Sequence, residues 1–217
     1  MLALARAKMC AFARLVGPGG HVTGLDFSQR MVEVARRRTP DFSLPLRFMQ
    51  GDLHELSFAD NTFDRCYAEK TFQHLSNPRR ALAELIRVMK PGGLLVIAEA
   101  DHETQVLDSP YPDVTRRFLR FRNAGMKQPD IAHRLYALCK DLGVTDIHIE
   151  PLTCVTTDYK NIEARAHFVE GMELACQHAV VTPEEAELWI TAFNEAVRSE
   201  RFFHAVTWFL TRIRKPL

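Results

Sequence analysis

Leu94-Leu95-Val96-Ile97-Ala98 is an unbroken apolar run, preceded by the turn residues Lys90-Pro91-Gly92-Gly93. A strand with one face in water alternates polar and apolar side chains. One that does not alternate is covered on both faces, as a central strand of a parallel sheet is. Parallel strands need crossover helices between them. The residues ahead of this run supply such helices.

Residues 2–16 read as an amphipathic helix with Leu2, Ala5, Met9, Phe12 and Val16 on one face, stopped by Gly17 and Pro18. Val22-Thr23-Gly24-Leu25 reads as a strand ending at Asp26, with Ser28 placed to cap a helix over 29–38 that Thr39-Pro40 ends. Further strands are expected at Leu46–Met49 and Phe63–Tyr67, the latter followed by a loop or short helix through Leu75. Asn77-Pro78 opens a helix whose core face is Leu82, Leu85, Ile86 and Met89. Beyond the central run, helices are expected at about 130–142, 161–177 and 183–198. A strand is expected near 145–156 and another from Phe203 to Leu210. Strand and helix alternate over residues 1 to about 100, so the fold class is α/β.

Composition narrows the function. Lys+Arg total 28 against 27 Asp+Glu, a net charge of +1, and Arg36-Arg37-Arg38 is the sole basic run. A nucleic-acid partner is therefore not expected. No apolar run reaches the roughly 18–20 residues of a membrane span. The five cysteines are scattered without a CxxC pair, so neither a metal site nor a disulfide framework is expected, and the chain reads as cytoplasmic.

Ligands of open α/β sheets sit beyond the carboxyl ends of the strands. That selects Asp26-Phe27, Gly51-Asp52-Leu53, Ala68-Glu69-Lys70 and Glu99-Ala100-Asp101. Asp26 either accepts hydrogen bonds from ribose hydroxyls or serves as an acid of the strand–helix turn. Asp52 either meets an exocyclic amine or closes an Asx-turn. Phe27, Met31 and Leu53 suit either an apolar slot for a purine ring or ordinary core. The clusters Gly17-Pro18-Gly19-Gly20 and Pro91-Gly92-Gly93 follow helices and precede strands, the reverse of a phosphate-binding loop. Neither GxGxxG nor GxxxxGK[ST] occurs.

Five segments then stand in order: Val22–Asp26, Gln50-Gly51-Asp52, Leu56–Asp64, Glu69–Leu75, and Leu85–Gly93. Together they resemble the class I S-adenosylmethionine-dependent methyltransferases, specifically the small-molecule group that includes ubiquinone/menaquinone methyltransferases. The resemblance covers residues 1–100, and the ending from Phe203 to Pro216 is similar to that family's last antiparallel strand. It implies a Rossmann-like, doubly wound, mostly parallel sheet with an antiparallel C-terminal strand and helical lid insertions. It also implies one domain over 1–217. Residues 1–100 would bind the cofactor, about 101–200 would form the substrate lid, and 201–217 the final strand.

By the same resemblance S-adenosylmethionine is the cofactor, with Asp26 on the ribose hydroxyls, Phe27 and Met31 bordering the adenine, and Asp52 at its amine. Leu53 lies against the ring beside Gly51, and Glu69 and Lys70 stand at the methionine end or the substrate, with Gln73 and His74 close by. His74 and His102 are the candidate catalytic bases if the acceptor must lose a proton. The family's first strand and its glycine-rich loop would precede the helix at residue 2, so the chain is expected to be N-terminally incomplete. Their loss would leave two strand edges unpaired. The implied activity is direct methyl transfer to an O, N or C nucleophile of a small molecule. A non-catalytic ligand-binding remnant and a nicotinamide-dependent oxidoreductase are the alternatives, and a homodimer is left open.

Overall fold

The computed structural model describes residues 2–17, 19–39 and 44–217, so Met1, Pro18 and Pro40 lie outside the described residues, as do the side chains of Leu2 and Ala5. The first half alternates as the sequence implies: α1 (Leu2–Leu15), β1 (Val22–Asp26), α2 (Gln29–Arg37), β2 (Leu46–Gln50), β3 (Phe63–Glu69), α3 (Pro78–Val88) and β4 (Met89–Leu107). There follow α4 (Pro112–Ala124), α5 (Ile131–Asp141), β5 (Ile147–Thr156), α6 (Glu163–Ala166), α7 (Phe168–Gln177), α8 (Pro183–Arg198) and β6 (His204–Arg214).

Local chemistry accounts for the helix starts. The Ser28 side chain accepts from the Met31 N–H and opens α2. Asn77 does the same for Arg80, with Pro78 in the first turn of α3. Thr182 and Glu185 form a reciprocal capping box on α8.

Among the described residues the strands form two sheets. β1 and β2 pair in parallel, and β3, β4, β6 and β5 form the larger sheet in that spatial order. β3 runs parallel to β4, and β6 runs antiparallel to both β4 and β5. The antiparallel C-terminal strand is thus as the resemblance implies. β1 and β3 each use one edge, and a cleft of about 1700 Å³ lies between the two sheets.

Four expectations change. The central strand is far longer than Leu94–Ala98. β3 stops pairing at Glu69 opposite Ala98, but β6 carries the ladder on to Leu107, so Glu99, Ala100 and Asp101 lie within β4 and not after it. The Lys90–Gly93 turn becomes a bulge inside the strand, where Gly92 takes φ +72°. The helix expected over 161–177 breaks into α6 and α7 because His167 takes the left-handed conformation, φ 43°. Among the described side chains of α1 the buried ones are Cys10 and Ala13, while Val16 lies past the helix end and half-exposed on the cleft.

Two main cores result. One lies under α3 and α5 against the larger sheet, with Leu82, Met89, Leu95, Ile97, Ile131, Leu135 and Ile213 fully buried. The other belongs to the helical layer of α4, α7 and α8 and is largely aromatic: Phe118, Tyr159, Phe168, Trp189, Phe193 and Phe202. Its Trp189 and Phe193 rings stack 5.1 Å apart, and the Trp189 indole N–H donates to Thr115 Oγ1 at 2.9 Å. Leu82→Ala should cost about 2–5 kcal/mol through the cavity it opens. Thr182→Ala should cost about 1 kcal/mol through the lost cap. Urea denaturation of both variants, with an unchanged slope, checks the ranking.

Candidate active-site cleft

The cleft is bounded by α1 and β1 on one side and by β3 and α3 on the other. Its walls are apolar. Phe12 of α1 meets Tyr67 of β3 edge-on at 5.4 Å, and Leu15 and Phe27 stay largely exposed at its lip.

Asp26 ends β1 and is buried at 9% exposure. Its Oδ1 accepts the Ser28 N–H at 2.8 Å, and its carbonyl accepts the Gly51 N–H at 3.0 Å. The turn reading of Asp26 therefore holds for one oxygen. Oδ2 accepts nothing among the described residues, which leaves it for a ligand. A Cβ at Gly51 would stand 2.5 Å from Leu25 Cδ1, so the Leu25 side chain would have to move to admit one.

Asp52 follows at the head of the next loop. Its Oδ1 accepts both the His54 N–H at 2.8 Å and His54 Nδ1 at 2.7 Å. The His54 backbone N–H, first of all, holds the Asp52 carboxyl below its ordinary range, and the imidazole adds to this. His54 Nε2 in turn accepts the Asn77 N–H at 3.2 Å, which fixes the proton on Nδ1. This Asp52–His54–Asn77 chain ties the loop to the start of α3. The sequence gives no sign of it, because the partners are 23 residues apart.

A second tie holds the same loop. Arg87 of α3 donates to the carbonyls of Leu56 and Phe58 and to Asp60 and Glu84, while Glu84 accepts the Leu56 N–H at 2.8 Å. The Arg87 hydrogen bond draws the Glu84 carboxyl down to about 2.

At the far end, Glu69 accepts the Tyr67 hydroxyl at 2.9 Å on the cleft wall. Lys70 takes φ 49°, and its ammonium lies 5.1 Å from the Trp208 ring centroid, off the cleft. His74 lines the cleft, and partial burial lowers its pKa. His102 does not line it. Its Nε2 faces Gln73 Oε1 at 3.0 Å and its Nδ1 faces Gln105 Nε2 at 2.9 Å, so both ring nitrogens are engaged. Met31 packs on Val32, Ala35 and Phe48 under α2. The structure thus brings Asp26, Phe27, Gly51, Asp52, Leu53, Glu69 and His74 to one cleft, and leaves Met31, Lys70 and His102 away from it. Cys66 also lines the cleft, but burial pushes its thiol up to about 12, so it stays protonated and is a poor nucleophile. Among the described residues no cluster of three His, Cys, Asp or Glu could hold a metal ion. No described helix is long and apolar enough to cross a membrane.

Residues 6–97 match the family model described as a methyltransferase domain. Over 200 residues the chain is 32% identical to an uncharacterized 37.1 kDa protein in transposon Tn4556 of Streptomyces fradiae, covering 91% of this chain and 56% of that protein. Over 86 residues it is 45% identical to the demethylmenaquinone methyltransferase of Renibacterium salmoninarum, covering 40% of this chain and 35% of the enzyme. Among solved structures, the YcgJ protein from Bacillus subtilis superposes with a TM-score of 0.61 at 16% identity, covering 91% of this chain and 83% of that one. Phosphoethanolamine N-methyltransferase 2 of Haemonchus contortus, solved in complex with S-adenosyl-L-methionine, gives a TM-score of 0.53 at 16% identity, covering 97% and 53%. At such identities these structures show a common fold alone, a Rossmann-like α/β fold. The chain is thus similar to a methyltransferase domain over residues 6–97. It spans about half the length of the Streptomyces protein and about a third of the Renibacterium enzyme.

Glu84 is the acid whose titration reports on the cleft loop. Unfolded, it binds its proton near 4.5, the ordinary value of a glutamate; folded, at about 2. Between those values the unfolded state holds more protons, so the stability Glu84 contributes is present above pH 4.5 and is lost as pH falls toward 2. Glu84→Gln should therefore flatten the acid limb of a stability-versus-pH curve over that window and leave its shape near neutrality unchanged. Urea midpoints measured from pH 2.5 to 7 check this.

Proposed function

We propose that this cleft binds S-adenosylmethionine and that the protein transfers its methyl group to a small-molecule nucleophile. The observation that carries the reading is Asp26: a buried carboxylate at the carboxyl end of a parallel strand, with one oxygen fixed by the following turn and the other open at the cleft. The match of residues 6–97 to a methyltransferase domain supports S-adenosylmethionine as the ligand of such an acid.

The residues fit the group. Asp26 Oδ2 would accept from the ribose hydroxyls, and Asp52, kept ionised by His54, would accept from the adenine amine. Phe27 and Leu53 would cover the ring from the lip and the floor. When bound, S-adenosylmethionine supplies an electrophilic methyl on a sulfonium. Displacement at that carbon asks the protein for alignment and exclusion of water more than for covalent help. The apolar walls from Phe12 to Tyr67 serve the exclusion. His74 is the base in reach if the acceptor must lose a proton. His102 is not, because neither of its ring nitrogens is open. The helical layer of α4, α7 and α8 would select the acceptor.

Asp26→Asn keeps an oxygen for the Ser28 N–H while turning the second position into a donor. A hydrogen bond to a charged group is worth about 1.5–3 kcal/mol. S-adenosylmethionine affinity should therefore fall at least ~10-fold, with the urea midpoint nearly unchanged. Methyl transfer from labelled cofactor, screened over small phenols, amines and carboxylates, should fall in parallel. Equal affinity in Asp26→Asn and the parent chain would remove Asp26 from the site.

A further inference from the structure

Glu99 is the buried acid that the cleft description leaves unexplained. It lies in β4 opposite Phe209 of β6, with no exposed surface. Its Oε1 accepts two backbone N–H groups from the segment after β3, Thr71 at 2.5 Å and Phe72 at 2.7 Å. Its Oε2 is buried without a hydrogen-bond partner among the described residues. The segment it holds departs from regular structure. Lys70 takes a left-handed φ of 49°, which a side chain disfavours. Its N–H donates to the Ala98 carbonyl at 3.1 Å, one residue before Glu99. Immediately beyond comes a single turn of 3-10 helix, Phe72–His74, whose last residue faces the cleft.

We propose that Glu99 is a positioning residue for the transfer reaction: its carboxylate latches the Lys70–His74 turn to the end of the β3–β4 pairing and so sets where Glu69 and His74 stand in the cleft. The effect on activity rests on the methyl-transfer reading; the latch itself does not. Two further contacts make the turn a rigid unit. The Gln73 carbonyl accepts the Gln128 N–H at 3.2 Å, and Gln73 Oε1 meets His102. Without Glu99, two N–H groups of a buried turn would have no acceptor while the left-handed Lys70 would remain, so the turn would relax and carry His74 with it.

The test compares Glu99→Leu, which deletes the acceptor at similar size, with Glu99→Gln, which keeps one carboxamide oxygen for the two N–H groups. Hydrogen exchange of Thr71 and Phe72 is read first, against Leu95 and Ile97 as internal standards for the fold. Glu99→Leu should speed exchange at Thr71 and Phe72 at least 10-fold relative to the standards, and Glu99→Gln should restore most of the protection. Binding of S-adenosylhomocysteine should stay within about threefold of the parent, while kcat drops 10-fold or more in the Leu variant and recovers in the Gln variant. Unaltered exchange at Thr71 and Phe72 would overturn the latch. Cofactor affinity and kcat falling together, without recovery in Gln, would overturn the positioning role. Should Glu99→Leu fail to fold, the amide proton shifts of Thr71 and Phe72 in Glu99→Gln decide. They move upfield if the ionised acid was their acceptor, and an absence of movement contradicts it. A parent chain that binds no S-adenosylhomocysteine would refute the methyl-transfer reading and with it the role in catalysis, while the exchange arm still decides the latch.

Discussion

The larger sheet depends on one strand changing partners. β4 pairs in parallel with β3 until Ala98 and in antiparallel register with β6 as far as Leu107. Where the first pairing ends and the second goes on, the backbone of β3 must leave the sheet, and its N–H groups need new acceptors. Ala98 O and Glu99 Oε1 provide them in succession. The same extension carries Asp101 to α5, where its buried carboxylate meets both the backbone N–H and the Nδ1 of His133. Two buried acids on one face of one strand thus anchor the 3-10 turn at the cleft and the start of the helix beside it. Burial drives the Glu99 carboxyl up to about 7, against the pull of the Phe72 and Thr71 N–H groups.

The cleft loop is held from the opposite direction. The loop after β2 buries Leu56 and packs Leu53 and Phe58 on the core, and it is also held by hydrogen bonds to α3: charge-assisted ones from Arg87 to two carbonyls and two carboxylates and from Arg80 to Glu55 and the His54 carbonyl, and one from the Asn77 N–H to His54. Asp52 is therefore set in place by a helix that belongs to the other sheet. The two sheets share no strand pairing among the described residues. α3, the Phe12–Tyr67 contact and Leu25, which packs against the core of the larger sheet, link one side of the cleft to the other.

Much of this was legible in the residues because the signals were local. The apolar run Leu94–Ala98, the caps Ser28, Asn77 and Thr182, and the carboxylates that close β1 and β2 each declare themselves within four or five positions. What escaped was set by distant partners. The length of β4 depends on β6, more than a hundred residues away, so Glu99 and Asp101 read as loop residues. His54 and His133 have no motif, since Asn77 and Asp101 reach them only in the folded chain. Met31 lies on the face of α2 that packs against Phe48, partly buried and away from the cleft. His102 looked free to act as a base until Gln73 and Gln105 closed on it. Asp26, Phe27, Gly51 and Asp52, which lie at the ends of β1 and β2 or just beyond, line the cleft, whereas Lys70, directly after β3, does not.

The central claim is that Asp26 and Asp52, held by the Ser28 and His54 backbone, form the adenosine end of an S-adenosylmethionine site. Isothermal titration of the chain with S-adenosylhomocysteine, beside adenosine and NAD as competitors, tests it most directly. The account predicts saturable one-to-one binding in the micromolar range, displaced by adenosine and indifferent to NAD. Heats no greater than dilution, or displacement by NAD alone, would contradict it.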